Sequence, residues 1–369
     1  MKKKKLVALV ASAIMVVTLF AGCGNSESAD SSSANKDKKI KVGLSTDEGG
    51  LNDKSFNQAA DTGVKKAQKE FGIDYKPIES KQKEDYESNL EALVNDNCDL
   101  TFGVGFQVEP SIKNIAEKYS DKKFVIIDPN DSKVDKKNLQ AIKFKEEEGS
   151  FLMGVIAGKM TKTNKVGFIG GKDNVLIKRF EVGFAAGVKA VNPEAAKGLI
   201  GKGSEKGSMV KYADSFGDTN KGYELAKSLY GSGCDVIYHA AGGVGIGLFK
   251  AAKELTKPDK PVWAIGVDLD QSVTVPEYKD IILSSMIKKV DVATYKAIKS
   301  VIDGKFEGGK YIELGLKEDG VDIAPTSDKN TPKEVLDLVD KYKKDIKEDK
   351  FKVPATREDL QKFNAPEVK

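Results

Sequence analysis

Residues 40–71 read IKVGLSTDEGGLNDKSFNQAADTGVKKAQKEF, and this stretch predicts a strand, a loop and a helix in succession. The run Ile40–Ser45 has the length and composition of a buried parallel strand. In Phe56–Phe71 the apolar positions fall on one helical face, which predicts an amphipathic helix. The loop between them follows the carboxyl end of the strand, where open α/β sheets bind their ligands.

The same unit recurs along the chain. Further short runs rich in Val and Ile predict buried strands at Asp99–Gly103, Lys123–Ile127, Lys165–Gly170, Asp235–His239, Val262–Val267 and Ile281–Met286. Helical patterns are predicted at Phe56–Phe71, Tyr86–Asn95, Val108–Tyr119, Glu148–Met160, Ile177–Val191, Gly222–Tyr230, Ile246–Leu255 and Val290–Ile302. This alternation predicts an α/β fold of two doubly wound lobes, each built on a parallel sheet with helices on both faces.

The length of 369 residues favours two domains, because a domain takes about 100–200 residues. We expect the first lobe at residues 40–161, with return segments at about 288–305. We expect the second lobe at 162–287, with part of 306–330, and a C-terminal helical extension at 331–369. The polar connection Lys159–Lys165 is the predicted first crossing between the lobes.

The N-terminus predicts export and anchoring. Lys2–Lys5 precede the apolar stretch Leu6–Ala21, so residues 1–22 are typical of a signal peptide. The stretch is short for a spanning helix, which needs about 20 apolar residues. Phe20-Ala21-Gly22-Cys23 resembles a bacterial lipobox, which implies that Cys23 is lipidated and holds the chain on the outer face of the cell membrane. The polar residues 24–39 predict a flexible tether, so that 23–39 form the anchor segment.

Composition argues against several classes of function. Lys plus Arg is 60 and Asp plus Glu is 56, with the signs interspersed, so we expect no nucleic-acid partner. One histidine and three cysteines without metal-ligand spacing predict no metal site. The glycines of Gly242–Gly247 are spaced G-x-G-x-G and not as a dinucleotide fingerprint, and no nucleophile elbow or phosphate loop occurs. We therefore predict no enzyme and no cofactor.

Charged, amide and aromatic residues lie after the predicted strands and in the loop before the predicted helix Gly222–Tyr230, and these are the candidate ligand contacts. They are Asp47, Phe56, Asn57, Asp128, Phe216, Gly243, Asp268 and Lys288. Asp53 and Ser55 precede a helix and are expected to cap it. Phe180 and Phe184 are alternatives to Phe216 as an aromatic contact, although the position of Phe180 at the start of an apolar helix favours packing. His239 is expected to pack within or beside a strand.

Several stretches together resemble one family. Asp47–Asn57, Arg179–Phe184, Phe216–Asp218, Ala241–Gly243 and Gly266–Gln271 occur in the order found in the basic membrane protein family of lipoproteins. That family comprises purine nucleoside receptors of bacterial importers. The resemblance implies a clamshell of the type I periplasmic-binding-protein kind, with lobes joined by hinge crossovers and a nucleoside such as guanosine, inosine or adenosine between them.

The resemblance also implies roles for the candidate residues. Phe56 and Phe216 are implied as rings on the two faces of the base, Asp128 and Asn57 as partners of the base edge, Asp268 and Lys288 as sugar contacts, the backbone near Gly243 as a ribose neighbour, and Asp47 as a further contact. The importer's permease and ATPase are implied as separate chains, and we expect a monomer. Two alternatives stay open at this point: a surface sensor or adhesin of the same fold, and a receptor for another heterocycle such as riboflavin.

Overall fold

The computed structural model describes residues 39–130 and 133–366. Over these residues the chain forms two six-stranded sheets with helices packed against them, which confirms the predicted fold class. The predicted signal peptide, Cys23 and the tether up to residue 38 lie outside the described residues, as do the last three residues of the predicted C-terminal extension.

The strands are short and mostly buried on both faces, because helices cover both sides of each sheet. In chain order they are β1 (Lys41–Ser45), β2 (Asp74–Ile78), β3 (Leu100–Val104), β4 (Lys123–Ile127), β5 (Leu139–Phe144), β6 (Val166–Gly170), β7 (Val210–Tyr212), β8 (Val236–Ala240), β9 (Trp263–Asp268), β10 (Ile282–Lys288), β11 (Tyr311–Leu314) and β12 (Val321–Ile323).

The first sheet has the order β11-β5-β4-β3-β1-β2 and is parallel throughout. The second has the order β12-β10-β9-β8-β6-β7, and only β12 runs antiparallel, beside β10. Late strands thus complete both sheets: β11 joins the first and β12 the second. We call each sheet with its packed helices the first and the second lobe.

The helices fill the connections between strands. They are α1 (Phe56–Phe71), α2 (Asp85–Asn95), α3 (Glu109–Lys118), α4 (Glu146–Met160), α5 (Val175–Val191), α6 (Pro193–Ala196), α7 (Thr219–Gly231), α8 (Val244–Leu255), α9 (Gln271–Thr274), α10 (Val290–Ile302), α11 (Lys333–Lys347) and α12 (Arg357–Lys362). Helix α10 packs on α1 of the first lobe at Gly63, where a Cβ atom would lie 2.0 Å from the Asp291 carbonyl oxygen.

Helix α4 packs on the second lobe, although the sequence pattern assigned it to the first. Gly154 meets α5 so closely that a Cβ atom would lie 2.1 Å from the Phe184 carbonyl oxygen, and the Ser150 hydroxyl lies 3.1 Å from that of Tyr238 in β8. The chain therefore leaves the first lobe at Lys145, not at the predicted boundary of residue 161. The polar connection Lys159–Lys165 is only the turn between α4 and β6.

Within the described chain, the lobes are joined by three crossings: after β5, after β10, and between β11 and β12. Backbone hydrogen bonds tie these crossings together, from Lys145 N to Leu314 O at 3.0 Å and from Lys289 N to Gly320 O at 2.9 Å. The carboxyl ends of β5 and β10 lead into these crossings, so residues at those ends lie near both lobes.

Candidate functional site

A cavity opens where the carboxyl ends of strands from both lobes meet. The space in and around it that protein atoms do not fill, including the open solvent at its mouth, is about 480 Å³. Its lining includes most of the contacts predicted from the sequence: Asp47, Phe56, Asn57, Asp128, Phe216, Asp268 and Lys288. Gly243 lies one residue beyond the lining, in which its neighbour Gly242 takes part with a φ of +55°.

The first lobe contributes a hydrogen-bonded group of two carboxylates and one amide, Asp47, Asp53 and Asn57, from the segment after β1. Asp53 accepts hydrogen bonds from the backbone N–H groups of Ser55, Asn57 and Gln58, so it caps α1 as predicted. The Asn57 side-chain amide donates to Asp47 Oδ1 at 2.8 Å and to Asp53 Oδ2 at 3.3 Å. Because both neighbours are acceptors, the NH₂ group must face them and the amide oxygen must face away.

That oxygen is one of two acceptors that are buried at the cavity without a partner. Among the described residues, neither Asn57 Oδ1 nor Asp128 Oδ1 has a hydrogen-bond partner. Asn57 is 1% exposed and Asp128 is 3% exposed. Buried polar atoms are rarely left unpaired, because each costs about 1–3 kcal/mol. The two oxygens therefore favour a ligand that supplies donors.

The second lobe contributes a buried ammonium group at the end of β10. Lys288 pairs with Asp128 and lies 3.1 Å from Glu146 Oε1. Its Nζ atom also lies 5.1 Å from the centre of the Phe56 ring and 5.3 Å from that of Phe180. These contacts hold the ammonium between carboxylates and ring faces, which is a favourable setting for a buried cation.

Asp268 ends β9 and joins the two lobes. The Ser55 hydroxyl of the first lobe donates a hydrogen bond to Asp268 Oδ2. The prediction that Ser55 caps α1 is therefore wrong for its side chain, which makes no capping hydrogen bond. Its hydroxyl instead fixes one carboxylate oxygen of Asp268 and leaves the other for further contacts.

Asp128 and Asp268 share an uncommon backbone conformation. Each directly follows or ends a strand, and their φ angles of +60° and +67° lie in the left-handed region. Non-glycine residues adopt this region rarely, although Asp tolerates it better than most, and such strain gathers at functional sites. In both lobes the chain thus turns sharply at the strand end, and each carboxylate lines the cavity.

Aromatic rings from both lobes form much of the cavity wall. Phe56 and Phe106 come from the first lobe, and Phe180 and Phe216 from the second. The rings of Phe106 and Phe216 meet edge to face with centroids 6.0 Å apart. Gly171 makes room for Phe216, because a Cβ atom there would lie 2.1 Å from the ring. Phe180, expected mainly to pack, does so and also lines the cavity.

Carboxyl groups outnumber ammonium groups in the cavity, and burial shifts the pKa of each of these carboxyl groups upward. Burial raises the pKa of Asp47 to about 6, and it raises the pKa of Asp53 and of Asp128 to about 7, in the last case against the pull of Lys288. Burial also raises the pKa of Asp268. Although burial opposes it, the surrounding carboxylates raise the pKa of Lys288, which therefore stays charged. The cavity is thus an acceptor-rich site with a surplus of acid groups.

Glu48 links the lobes at the side of the cavity. Its carboxylate lies 2.9 Å from Lys172 Nζ and accepts a hydrogen bond of 3.3 Å from the backbone N–H of Phe216. Both partners belong to the second lobe, whereas Glu48 follows β1 in the first. The two lobes are therefore in contact beside the cavity, and a hydrogen bond joins the Phe216 backbone to Glu48 of the first lobe.

Sequence reasoning missed some residues of the site. Phe106 follows β3 and could have been found by the same rule that identified Asp128, since both come just after a strand. Glu146 gave no such signal, because Glu146–Glu148 is typical of the acidic first turn of a helix. Its contact with Lys288 depends on the crossing after β5, which the sequence pattern had placed elsewhere.

Two absences apply to the described residues. Across residues 39–130 and 133–366, no group of three or more His, Cys, Asp or Glu residues is arranged to hold a metal ion. Nor does any helix in these ranges have the length and apolarity needed to cross a membrane.

Comparison with known proteins gives a consistent result. The model of the Bmp family, described as "ABC transporter substrate-binding protein PnrA-like", matches residues 40–357. The chain is 41% identical to a "CD4+ T-cell-stimulating antigen" of Listeria innocua, over 95% of this chain and 99% of that one. It is 37% identical to the "ABC transporter nucleoside-binding protein BmpA" of Lactococcus lactis, over 96% and 99% of the two chains.

A solved structure resembles the whole fold. An ABC transporter solute-binding protein from Aeropyrum pernix superposes with a TM-score of 0.74 at 27% identity, covering 88% of this chain and 96% of that one. The match extends over both lobes, because so large a share of each chain is covered.

Proposed function

Because this chain belongs to the Bmp family of PnrA-like ABC transporter substrate-binding proteins, we propose that it captures purine nucleosides outside the cytoplasm and delivers them to an ABC importer. Family membership makes it a substrate-binding protein. Guanosine, inosine and adenosine are the proposed ligands, and the cavity between the lobes is the proposed capture site.

One observation carries this proposal: the cavity combines aromatic walls with buried acceptors that lack partners. Flat rings favour a planar ligand, and unpaired carboxylate and amide oxygens favour one that carries N–H and O–H donors. A purine nucleoside has a planar base with donors on its edge and a sugar with hydroxyl groups. A simple sugar lacks the planar surface, and an apolar heterocycle lacks the donors.

The rings of Phe56 and Phe216 are the proposed stacking partners of the base. They come from opposite lobes, so a base between them touches both lobes. Base-on-ring stacking is worth about 1–3 kcal/mol per base in nucleic-acid complexes. Phe106 supports Phe216 from the edge and would hold its ring in place.

The base edge is assigned to the unpaired oxygens of the first lobe. Asn57 Oδ1 and Asp128 Oδ1 would accept hydrogen bonds from a ring N–H or an exocyclic amine. Asp47 contributes by holding the Asn57 amide so that its oxygen remains available. Guanine carries both kinds of donor on one edge, and this favours guanosine among the proposed ligands.

The sugar is assigned to the second lobe. Asp268 has one oxygen bound to Ser55 and a second for the ribose hydroxyls, and Lys288 has donor capacity beyond its carboxylate partners. The backbone near Gly243 was expected beside the ribose. The lining residue Gly242 is the better candidate, since a glycine there allows close approach.

Charge favours neutral nucleosides over nucleotides. The lining carries Asp47, Asp53, Asp128 and Asp268 against the ammonium of Lys288. A phosphate would bring negative charge into a buried site that holds four carboxyl groups against one ammonium group, and it would have to drive those carboxyl groups toward their neutral form or bind weakly. Nucleoside monophosphates are therefore expected to bind much more weakly.

The lobes supply a mechanism for capture and release. A ligand shifts an equilibrium between open and closed forms only if it binds the two forms differently. A nucleoside that touches both Phe56 and Phe216 meets this condition, because it can contact both lobes at once only when they are close together. Closure would also create the surface that the importer's membrane subunits recognise.

The proposed location rests on the N-terminal sequence. A lipid on Cys23 would hold the lobes at the outer face of the cell membrane, close to the importer. Such an anchor leaves the binding lobes free to meet the permease.

A ligand panel tests the proposal. Melting of the protein is compared with guanosine, inosine, adenosine, guanine, ribose, guanosine monophosphate and riboflavin, and chromatography checks that each ligand stays intact. At 100 times its Kd a ligand adds about 2.7 kcal/mol to the free energy of unfolding, which raises Tm by several degrees. We expect this shift with intact nucleosides and little with the phosphate. A shift with riboflavin alone, or release of free base, would refute the proposal.

A further inference from the structure

The chain's single histidine lies behind the ligand cavity, where the proposed function gives it no role. His239 belongs to β8 of the second lobe and is fully buried. Gly245 gives it space, because a Cβ atom there would lie 2.0 Å from the ring. Burial lowers the pKa of His239 to about 4, so the ring is neutral. A neutral imidazole has one donor and one acceptor nitrogen.

The hydrogen bonds of Gln271 decide which nitrogen of His239 donates. Gln271 Oε1 lies 2.9 Å from His239 Nε2 and accepts the backbone N–H of Val267 at 2.9 Å. A flipped amide would set its NH₂ group against the Val267 N–H, donor against donor. The oxygen must therefore face both groups, and His239 must carry its proton on Nε2.

The same geometry aims the Gln271 NH₂ group at the other lobe. Gln271 Nε2 donates to the backbone carbonyl of Lys54 at 3.1 Å. Lys54 belongs to the loop after β1, and the next residue, Ser55, donates to Asp268. Two adjacent residues of the first lobe are thus bonded to one turn of the second.

Gln271 also shapes the turn that presents Asp268. Its side chain holds the N–H of Val267, and its own backbone N–H donates to Ser285 Oγ at 3.1 Å. Between these two anchored points, Asp268 has its left-handed φ of +67°. Loss of the Gln271 side chain would remove both its bond to the Val267 N–H and its bond to the Lys54 carbonyl.

We infer that His239 and Gln271 form a positioning pair, in which the His239 Nε2–H donates to the Gln271 amide oxygen, and the amide fixes the Asp268 turn and fastens it to Lys54 of the opposite lobe. The pair does not line the cavity. It acts by stabilising the closed arrangement in which Asp268 faces the ligand. Its effect is therefore expected on ligand release and not on ligand entry.

One test needs no ligand and no variant. In protein labelled with ¹⁵N-histidine and purified without a histidine tag, the single imidazole gives one set of NMR signals. We expect the Nε2–H form, unchanged between about pH 5 and pH 8, where an ordinary histidine titrates. An Nδ1–H form, or a ring that gains a proton in this range, would overturn the inference even if nucleosides bind.

A second test uses kinetics and depends on the proposed function for its ligand. Gln271→Met keeps the length of the side chain and removes its hydrogen bonds. Stopped-flow binding of guanosine should show dissociation faster by about tenfold, with association changed by less than about twofold. A fall in Tm with wild-type dissociation would mean a structural role only and would overturn the inference. If the wild-type protein binds no nucleoside, the proposed function is wrong. The NMR measurement would then still decide the inference about His239 and Gln271.

Thr274→Val is the matched control. Thr274 ends the same short helix, α9, and within the described chain its hydroxyl is buried without a hydrogen-bond partner. This substitution should leave both rate constants within about twofold of wild type. A double variant of His239→Leu with Gln271→Met should dissociate no faster than Gln271→Met alone. Additive effects would show that His239 does not act through Gln271.

Discussion

Replacing Phe56 by alanine removes one aromatic wall of the cavity at the first residue of α1. The ring lines the cavity and lies 5.1 Å from Lys288 Nζ, and it is only partly buried. Its loss therefore has a small cost to folding compared with the loss of a core phenylalanine. The substitution removes a stacking surface for the base and the cation–π contact between the Phe56 ring and the Lys288 ammonium group.

The expected loss of affinity follows from the stacking energy. Stacking worth about 1–3 kcal/mol corresponds to a rise in Kd of about 5- to 150-fold. Titration calorimetry with guanosine measures the change directly, and a melting curve of the free protein measures stability in parallel. The cation–π contact adds to the stability change, since Lys288 stays buried among carboxylates.

Phe71→Ala provides the control on the same helix. Phe71 is the last residue of α1, and its ring contacts Tyr295 with centroids 5.5 Å apart, away from the cavity lining. Its removal should lower Tm but leave the guanosine Kd within about twofold. If Phe56→Ala binds guanosine as tightly as wild type, or if both variants lose affinity equally, the assignment of Phe56 to the base is wrong.

Three further predictions test other parts of the account. Asp268→Asn should weaken guanosine by at least tenfold more than guanine, because only the nucleoside has ribose hydroxyls, and equal losses in calorimetry would contradict that role. Burial raises the pKa of Asp128 to about 7, and a hydrogen-bond donor from the ligand favours the ionised carboxylate, so binding releases a proton. The affinity for guanosine should therefore fall by up to about tenfold per pH unit as the pH drops from 7 to 5. An affinity that does not change with pH would exclude Asp128 as an acceptor. Cys23→Ala should abolish labelling by fatty acid in cells, and persistent labelling would refute the anchor.

The sequence was sufficient for the central strands and for most helices. β1, β3, β4, β6, β8, β9 and β10 all match predicted runs closely, because strands covered on both faces are mostly apolar. The missed strands are β2, β5, β7, β11 and β12. Most of these strands lie at sheet edges, are short, or carry polar residues. Pro77 in β2 is an example, because a proline lacks the N–H that a central strand needs and so is found in edge strands. Their pairing depends on the rest of the sheet and leaves little trace in local pattern.

The site was predictable where it follows strand ends and less so where it depends on tertiary contacts. Asp128 and Asp268 directly follow or end strongly apolar strands, so the alternating pattern was enough to place them at the carboxyl ends of the sheets, where the cavity lies. Ser55 was expected to cap a helix, yet it donates to Asp268 of the other lobe. Glu146 reaches the site because the chain crosses between the lobes at Lys145. The sequence pattern predicted this crossing at the polar connection Lys159–Lys165 instead. Contacts between lobes are a property of the closed fold and have no local sequence signal.

A crystal structure of the protein with guanosine bound tests the central claim most directly. The account predicts the base between Phe56 and Phe216, a base N–H on Asp128, and ribose hydroxyls on Asp268. Guanosine bound elsewhere on the surface, or in the cavity with its base away from both rings, would contradict the account.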